Sequence, residues 1–382
     1  MKRAEFHGTV AVTGLNATDN PGPGVSVIRA LQAHRGFHGR VVGLAYDTLD
    51  PGIYAQGLTT DVFLVPYPSN GAEALKARLE YVHSQTPLDV IIPTLDSELA
   101  AYIALAPWLA EQGIGTFLPT EEQLDARSKV RLSELGAASG IDVPPQRVIS
   151  NVAQLYTLHQ ELAFPIYVKG LYYGATLART VDEATAAFHK VAAQWGLPII
   201  VQSAVHGEEL NIVAVGDGEG GLVGAVPMRK TMITDKGKGW AGITIADPAL
   251  MALAERFMAT TGWRGPCELE VLKSTSPGGE ARYYLLEVNP RFPAWSYLSA
   301  GAGNNLPMAV ARLASGQRVK SRRSYRVGTM FVRISIDQLA HIDDFAAIST
   351  TGELRRTARP VSDDFGDSDD GSALGSASPA LQ

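Results

Sequence analysis

The strongest constraint on this chain is the alternation of two hydrophobic periods over its first 120 or so residues. "GTVAVTGL", "GRVVGLAYD", "DVIIPTL" and "IGTFLP" read as apolar strands, separated by helical patterns in "GVSVIRALQAH", "EALKARLEYVHS" and "SELAAYIALAPWLAEQG". Strands apolar on both faces must be covered on both, and intervening helices do this as βαβ units around a parallel sheet. The glycines of "TGLNATDNPGPGVSV" fall at the first strand-to-helix turn without spelling G-x-G-x-x-G. A structural turn is therefore preferred there over a dinucleotide site.

Further on, Thr120-Glu121-Glu122-Gln123 has the form of a capping box, predicting a helix that runs through "LDARSKVRLSELGAASG". "IDVPPQ" breaks the chain, and residues 151–205 repeat the αβ alternation on a smaller scale, with a second capping-box pattern at Thr180 and Glu183. Strands dominate 207–290, interrupted by the helix "DPALMALAERFMATTG", whose Asp247 and Pro248 suit the N-cap and first helical positions. The basic run "QRVKSRRSYR" reads as a solvated face. The Asp/Ser/Gly-rich end, 361–382, reads as a disordered acidic tail.

With 382 residues, two or three subdomains are expected. A net charge of −6 argues against a nucleic-acid-coating protein, and the single cysteine, Cys267, excludes an intrachain disulfide framework. No apolar run is long enough to span a bilayer, and the start has no h-region or cleavage site. These features predict a soluble cytoplasmic protein with neither nucleic-acid nor membrane partners.

The chemistry concentrates in "YYLLEVNPRFP", where Glu287, Asn289 and Arg291 stand at every second position of an apolar strand and so share one face. Upstream, "GPCELEVLK" alternates Glu268 and Glu270 with Cys267, Leu269 and Val271, and "SPGGEA" between them supplies turn residues. An antiparallel hairpin would bring Glu270 beside Glu287 and Asn289. Two carboxylates and an amide carbonyl held together need a cation, and hard oxygens suit Mg²⁺ with nucleotide phosphates completing its shell. A salt-bridged exposed strand face is the alternative. Lys169, ending the apolar strand "FPIYVK", and Lys129 are candidate phosphate ligands. "HGEEL" offers carboxylates for ribose hydroxyls, and the strand end from Ser203 to Val205 offers backbone groups to an adenine edge.

In this order along the chain, "PTLDSEL", "SKVRL", "FPIYVKG", "VQSAVHGEEL", "GPCELEV", "LLEVNPRF" and "LSAGAGNNLP" resemble the ATP-grasp superfamily, of the carbamoyl-phosphate-synthetase-like and amino-acid-ligase kind. The resemblance covers roughly residues 9–316, and E-x-N-P-R in "LLEVNPRF" is its most specific piece. It implies a mixed α/β and α+β fold in three parts. These are an N-terminal pre-ATP-grasp domain over 1–120, linker helices with a small lid subdomain over 121–205, and a C-terminal antiparallel-sheet subdomain over 206–360. It further implies that Lys129 and Lys169 bind nucleotide, that Glu209 binds ribose, and that Glu270, Glu287 and Asn289 are metal ligands. Arg291 then steadies the transferred phosphoryl group. The cofactors implied are ATP and two Mg²⁺ ions, with Mn²⁺ as a substitute.

The implied reaction activates a carboxylate as an acyl phosphate and couples it to an amine, so partners are small molecules or peptides carrying these groups, on a homodimer. A bicarbonate-activating carboxylase or carbamoyl-phosphate-type subunit is the first alternative, and a non-catalytic nucleotide-binding protein the second. Candidate substrate residues are Asp96, Glu98, Tyr172, Arg229, Lys230, Lys236, Trp295 and Tyr297; capping of the following helix is an equal reading for Asp96 and Glu98, and core packing for the aromatic pair.

Overall fold

The structure is a computed structural model and describes residues 5–18, 21–158, 160–171, 174–234 and 239–356. Tyr172, Lys236 and the tail from 361 onward therefore lie outside the described residues.

The opening alternation forms β1 (Thr9–Thr13), α1 (Gly24–Gln32), β2 (Arg40–Ala45), α2 (Pro51–Tyr54), β3 (Asp61–Leu64), α3 (Gly71–Gln85), β4 (Val90–Ile92) and α4 (Asp96–Glu111). The four strands are parallel in the order β3-β2-β1-β4. The glycine-rich turn after β1 closes on itself: Gly24 N donates to Gly14 O, and a side chain at Gly24 would meet Thr13 O at 2.0 Å. "IGTFLP" is not a strand. Only Gly115 bridges to Val90, because the carbonyls of Thr116 and Leu118 accept from the guanidinium of Arg264.

The Thr120 capping box forms as expected, with Thr120 Oγ1 accepting from Gln123 N and Gln123 Oε1 accepting from Thr120 N. The helix it opens is interrupted, giving α5 (Glu121–Ala126) and α6 (Leu132–Ser139) with Lys129 in the turn between them, not on a helix. A small antiparallel sheet follows, built from β5 (Gln146–Ile149), β6 (Ile166–Lys169), β7 (Ala175–Ala178) and β8 (Ile199–Ser203) in the order β5-β8-β6-β7. The short helix α7 (Leu155–Leu158) and α8 (Val181–Trp195) cover its apolar face. Thr180 caps α8, but Glu183 turns back to Arg179 N instead of completing a box.

The third sheet comprises β9 (Glu208–Asp217), β10 (Leu222–Ile233), β11 (Gly239–Thr244), β12 (Arg264–Thr275), β13 (Ala281–Asn289) and β14 (Met330–Val332). Its order is β13-β12-β9-β10-β11-β14, antiparallel throughout. Leu210, Ile212, Leu269, Val271, Leu285 and Val288 form one face, which packs on α6 and on α9 (Pro248–Thr261). The other face, through Val213, Val215, Val226 and Met228, joins a core shared with the N-terminal sheet, α1, α10 (Tyr297–Gly301) and α11 (Leu306–Ala314). After β14, α12 (Ile342–Thr351) leads to β15 (Glu353–Arg355), which returns to the N-terminal sheet as its antiparallel edge beside β3. No described helix is long and apolar enough to cross a membrane.

Candidate functional site

Register places the polar row. Glu270 lies directly opposite Glu287, and Glu268 opposite Asn289, across the β12–β13 ladder. Asn211 of β9 lies opposite Glu270 on the other side, and Lys230 of β10 falls on the same face two residues beyond Met228, which opposes Asn211. One end of an otherwise apolar sheet face thus carries a polar stripe across four strands.

Hydrogen bonds fix this stripe. The buried Glu268 accepts from Asn211 Nδ2 at 2.9 Å, Trp295 Nε1 at 2.7 Å and Asn289 Nδ2 at 3.2 Å. Asn289 Nδ2 also donates to Glu270 at 3.1 Å, and Asn289 Oδ1 accepts from Arg291 at 3.3 Å. Arg291 Nε donates to Asp96 Oδ2 at 2.7 Å, joining the sheet to the N-terminus of α4. Asp96 also faces Arg127 at 3.6 Å. Burial opposes the charge on Asp96, but the two guanidinium groups hold its carboxyl below the ordinary range; Arg291 is likewise raised, Asp96 and Glu268 outweighing its burial.

The small sheet supplies the facing wall. Lys169 Nζ donates to Gln202 Oε1 at 2.6 Å, Gln202 donates to Gln146 at 3.0 Å, and Gln146 donates to the Lys129 carbonyl at 2.9 Å. Lys129 in turn places its ammonium 3.3 Å from Glu287. A relay of two amides therefore sets both lysines relative to each other. Burial, then the Lys129 charge, lowers the Lys169 ammonium to about 8 against the pull of Glu287, Glu270 and Glu209. Lys230 pairs with Glu209 at 3.3 Å; burial would lower it, but Glu270, Glu209 and Glu268 hold it above its ordinary value.

The remaining candidates divide. Glu209 is at the mouth of the row, its side chain 58% exposed. The amides of Ser203, Ala204 and Val205 are engaged within the chain, by Pro145 O, Pro165 O and Ser203 O. Glu98 turns inward: its buried side chain accepts from Thr13 Oγ1 and from the amides of Thr94 and Leu95, so it caps α4. Arg229 alternates with Lys230 and stands on the opposite sheet face, paired with Glu208. Trp295 is buried in the shared core and holds Glu268, while Tyr297 is 43% exposed. Glu268, Asn211, Gln146, Gln202 and Arg127 were not assigned from sequence. Glu268 had a signal, a second acid in phase with Glu270; the two glutamines had none, because strand pairing alone aligns them.

Among the described residues no three His, Cys, Asp or Glu side chains form a closed metal cage. The donor set nevertheless fits a hard divalent cation that takes phosphate oxygens and water for the rest of its shell. Glu270 and Glu287 are opposed, and Asn211 Oδ1, directly across from Glu270, is buried without a hydrogen-bond partner among the described residues. A cavity of about 340 Å³ lined by Gln32, Phe37, Val41, Leu58 and Thr60 lies elsewhere, at the N-terminal ends of β2 and β3. Asp96 follows the opposite, C-terminal end of the sheet.

No family model matches the chain. The carbamoyl phosphate synthase large chain of Clostridium beijerinckii is 24% identical over 202 residues, which is 50% of this chain and 18% of that protein. The chain thus aligns with under a fifth of that relative's length. Among solved structures, the Campylobacter jejuni biotin carboxylase complexed with βγ-ATP superposes with a TM-score of 0.66 at 15% identity, covering 85% of this chain and 74% of that one. The biotin carboxylase domain dimer of Hydrogenobacter thermophilus 2-oxoglutarate carboxylase, bound to MgADP, ADP and bicarbonate, gives 0.65 at 15%, with 85% and 74% coverage. N5-carboxyaminoimidazole synthetase of Staphylococcus aureus with ADP gives 0.62 at 13%, covering 85% and 80%. The fold shared with these structures is the ATP-grasp fold.

Proposed function

We propose that this ATP-grasp chain is an ADP-forming ligase that activates a substrate carboxylate as an acyl phosphate and couples it to an amine, on an amino acid or peptide. The observation that supports this is the convergence of three parts of the fold on one place. The opposed pair Glu270–Glu287, the lysines Lys169 and Lys129, and Arg291 braced by Asp96 all meet there. In the reaction the carboxylate oxygen attacks the γ-phosphorus of ATP, the bond to the ADP oxygen breaks, and an acyl phosphate forms. The amine nitrogen then attacks the acyl carbon, phosphate departs with the bonding pair, and the nitrogen loses a proton.

The chain supplies position and charge, which carry most of phosphoryl transfer. Lys169 and Lys129 neutralise phosphate oxygens, Arg291 faces the charge developing on the transferred group, and Glu209 meets the ribose at the mouth, with the strand end at Ser203 to Val205 beside the base. Glu270, Glu287 and Asn289 would hold Mg²⁺, expected as two ions, which supplies charge neutralisation at the β- and γ-phosphates. Glu268 keeps Asn289 and Trp295 in place.

Bicarbonate is the second candidate for the activated carboxylate, favoured by the likeness in fold to biotin carboxylases, one of them bound to bicarbonate. An ADP-release screen of amino acids, dipeptides and bicarbonate, each paired with amines, tests both. Release dependent on an amino acid or peptide carboxylate supports the ligase; release dependent on bicarbonate alone replaces it with the second reading; no release with any pair overturns both.

A further inference from the structure

The free edge of the six-stranded sheet carries a surface that the proposed chemistry does not use. β14 is its outermost strand; Met330 and Val332 are 57% and 60% exposed, while Phe331 between them packs over Gly242. Beyond β14 the chain runs from Arg333 to His341 without helix, turn or bend, and the alternation continues, with Ile334 at 76% and Ile336 at 59% exposure. Met232, 59% exposed, extends the same row, since it opposes Ala241, which opposes Val332. Among the described residues none exchanges a backbone hydrogen bond with Ile334 to Ala340. An apolar ladder on an open edge is a template for another strand.

Charge narrows the occupant. Arg333 is half-buried, donating to Gly239 O at 2.9 Å and Ala294 O at 3.0 Å, and burial alone lowers its pKa because no carboxylate of the described residues lies beside it. Asp337, exposed, meets no cation among the described residues. Arg333 and Asp337 are equidistant from Ser335, as are Ile334 and Ile336. Two-fold antiparallel pairing about Ser335 sets each arginine opposite an aspartate and each isoleucine opposite an isoleucine, from one sequence.

We propose that this edge binds a second copy of the chain, residues 330–340 pairing antiparallel with the same segment about a two-fold axis through Ser335. The pairing completes the unpaired edge and covers the ladder in both copies, and it is independent of the ligase reading.

Ser335→Cys tests it directly. Opposed Cα atoms in an antiparallel pair are about 4.5–5.5 Å apart, within disulfide reach. The native Cys267 is buried and gives no background. Light scattering should show the full chain as a dimer at micromolar concentration, and mild oxidation should convert Ser335→Cys almost fully to a linked dimer. Gln338→Cys, whose two copies would stand about 20 Å apart, should remain unlinked. Ile334→Asp with Ile336→Asp should give a monomer with unchanged circular dichroism. A monomeric wild type, a dimer in which Ser335→Cys fails to link, or dimerisation only after truncation beyond Arg356 would each overturn the proposal.

Discussion

Nucleotide affinity should fall about tenfold between pH 7 and pH 9 if Lys169 holds phosphate, because its ammonium must be charged to do so. Burial and the neighbouring Lys129 place it at about 8 in the protein without nucleotide. The charged form is the disfavoured one there, so raising the pH through 8 removes the form that binds. About nine in ten copies are charged at pH 7 and about one in ten at pH 9, and recharging the amine at pH 9 costs about 1.4 kcal/mol of binding. Calorimetry with ADP in fixed magnesium excess across this range reads the slope. Lys169→Arg is the control, since a guanidinium does not titrate there and its profile should be flat. A flat profile in the wild type, or an equal slope in Lys169→Arg, would refute the role assigned to Lys169.

Glu287→Gln should lower ADP release by about 100-fold or more with the thermal midpoint nearly unchanged, since a partly buried carboxylate, 30% exposed, becomes its isostere; unaltered turnover would remove the metal assignment. Glu268→Ala leaves the buried donors of Asn211 and Trp295 without their acceptor, and Asn289 with Glu270 alone, and should cost roughly 3 kcal/mol in denaturant titration. A loss below about 1 kcal/mol would show that Glu268 does not organise the row. Gln202→Leu cuts the amide relay and should weaken ADP binding about tenfold, roughly 1.4 kcal/mol, without unfolding the small sheet. Equal affinity would mean that Lys169 is positioned by other contacts.

Much of this site was legible because the hairpin obeys simple alternation: two acids in phase on "GPCELEV" and an acid and amide in phase on "LLEVN" can meet only across a ladder. The phase on β13 nevertheless hides an irregularity. Leu285 and Val288 both enter the same core although three residues apart, because the ladder skips Leu286 between Val271–Leu285 and Glu270–Glu287. Such a bulge re-aims the strand, and only the partner strand reveals it. Lys129 was assigned to phosphate from position alone; the turn that carries it arises because the helix predicted from Thr120 stops at Ala126. Glu98 looked available at a strand end, yet satisfying the amides at the start of α4 draws it inward. β15, only three residues long, has no periodicity to read, and its partner strand lies almost 300 residues earlier.

That last strand has a mechanical consequence. Because β15 returns to pair with β3, and Ile348 sits in the same core as β1 and α1, the N-terminal sheet and the six-stranded sheet are tied together at two separate points along the chain. The four-stranded piece bearing Lys169 and Gln202 is linked along the chain through the stretches 140–145 and 204–207, and the first is already pinned where Leu285 N meets Asp142 O. A swing of that piece about Val143–Pro145 and Ala204–Gly207 would carry Lys169 away from Glu270 and Glu287 while leaving the two acids in place.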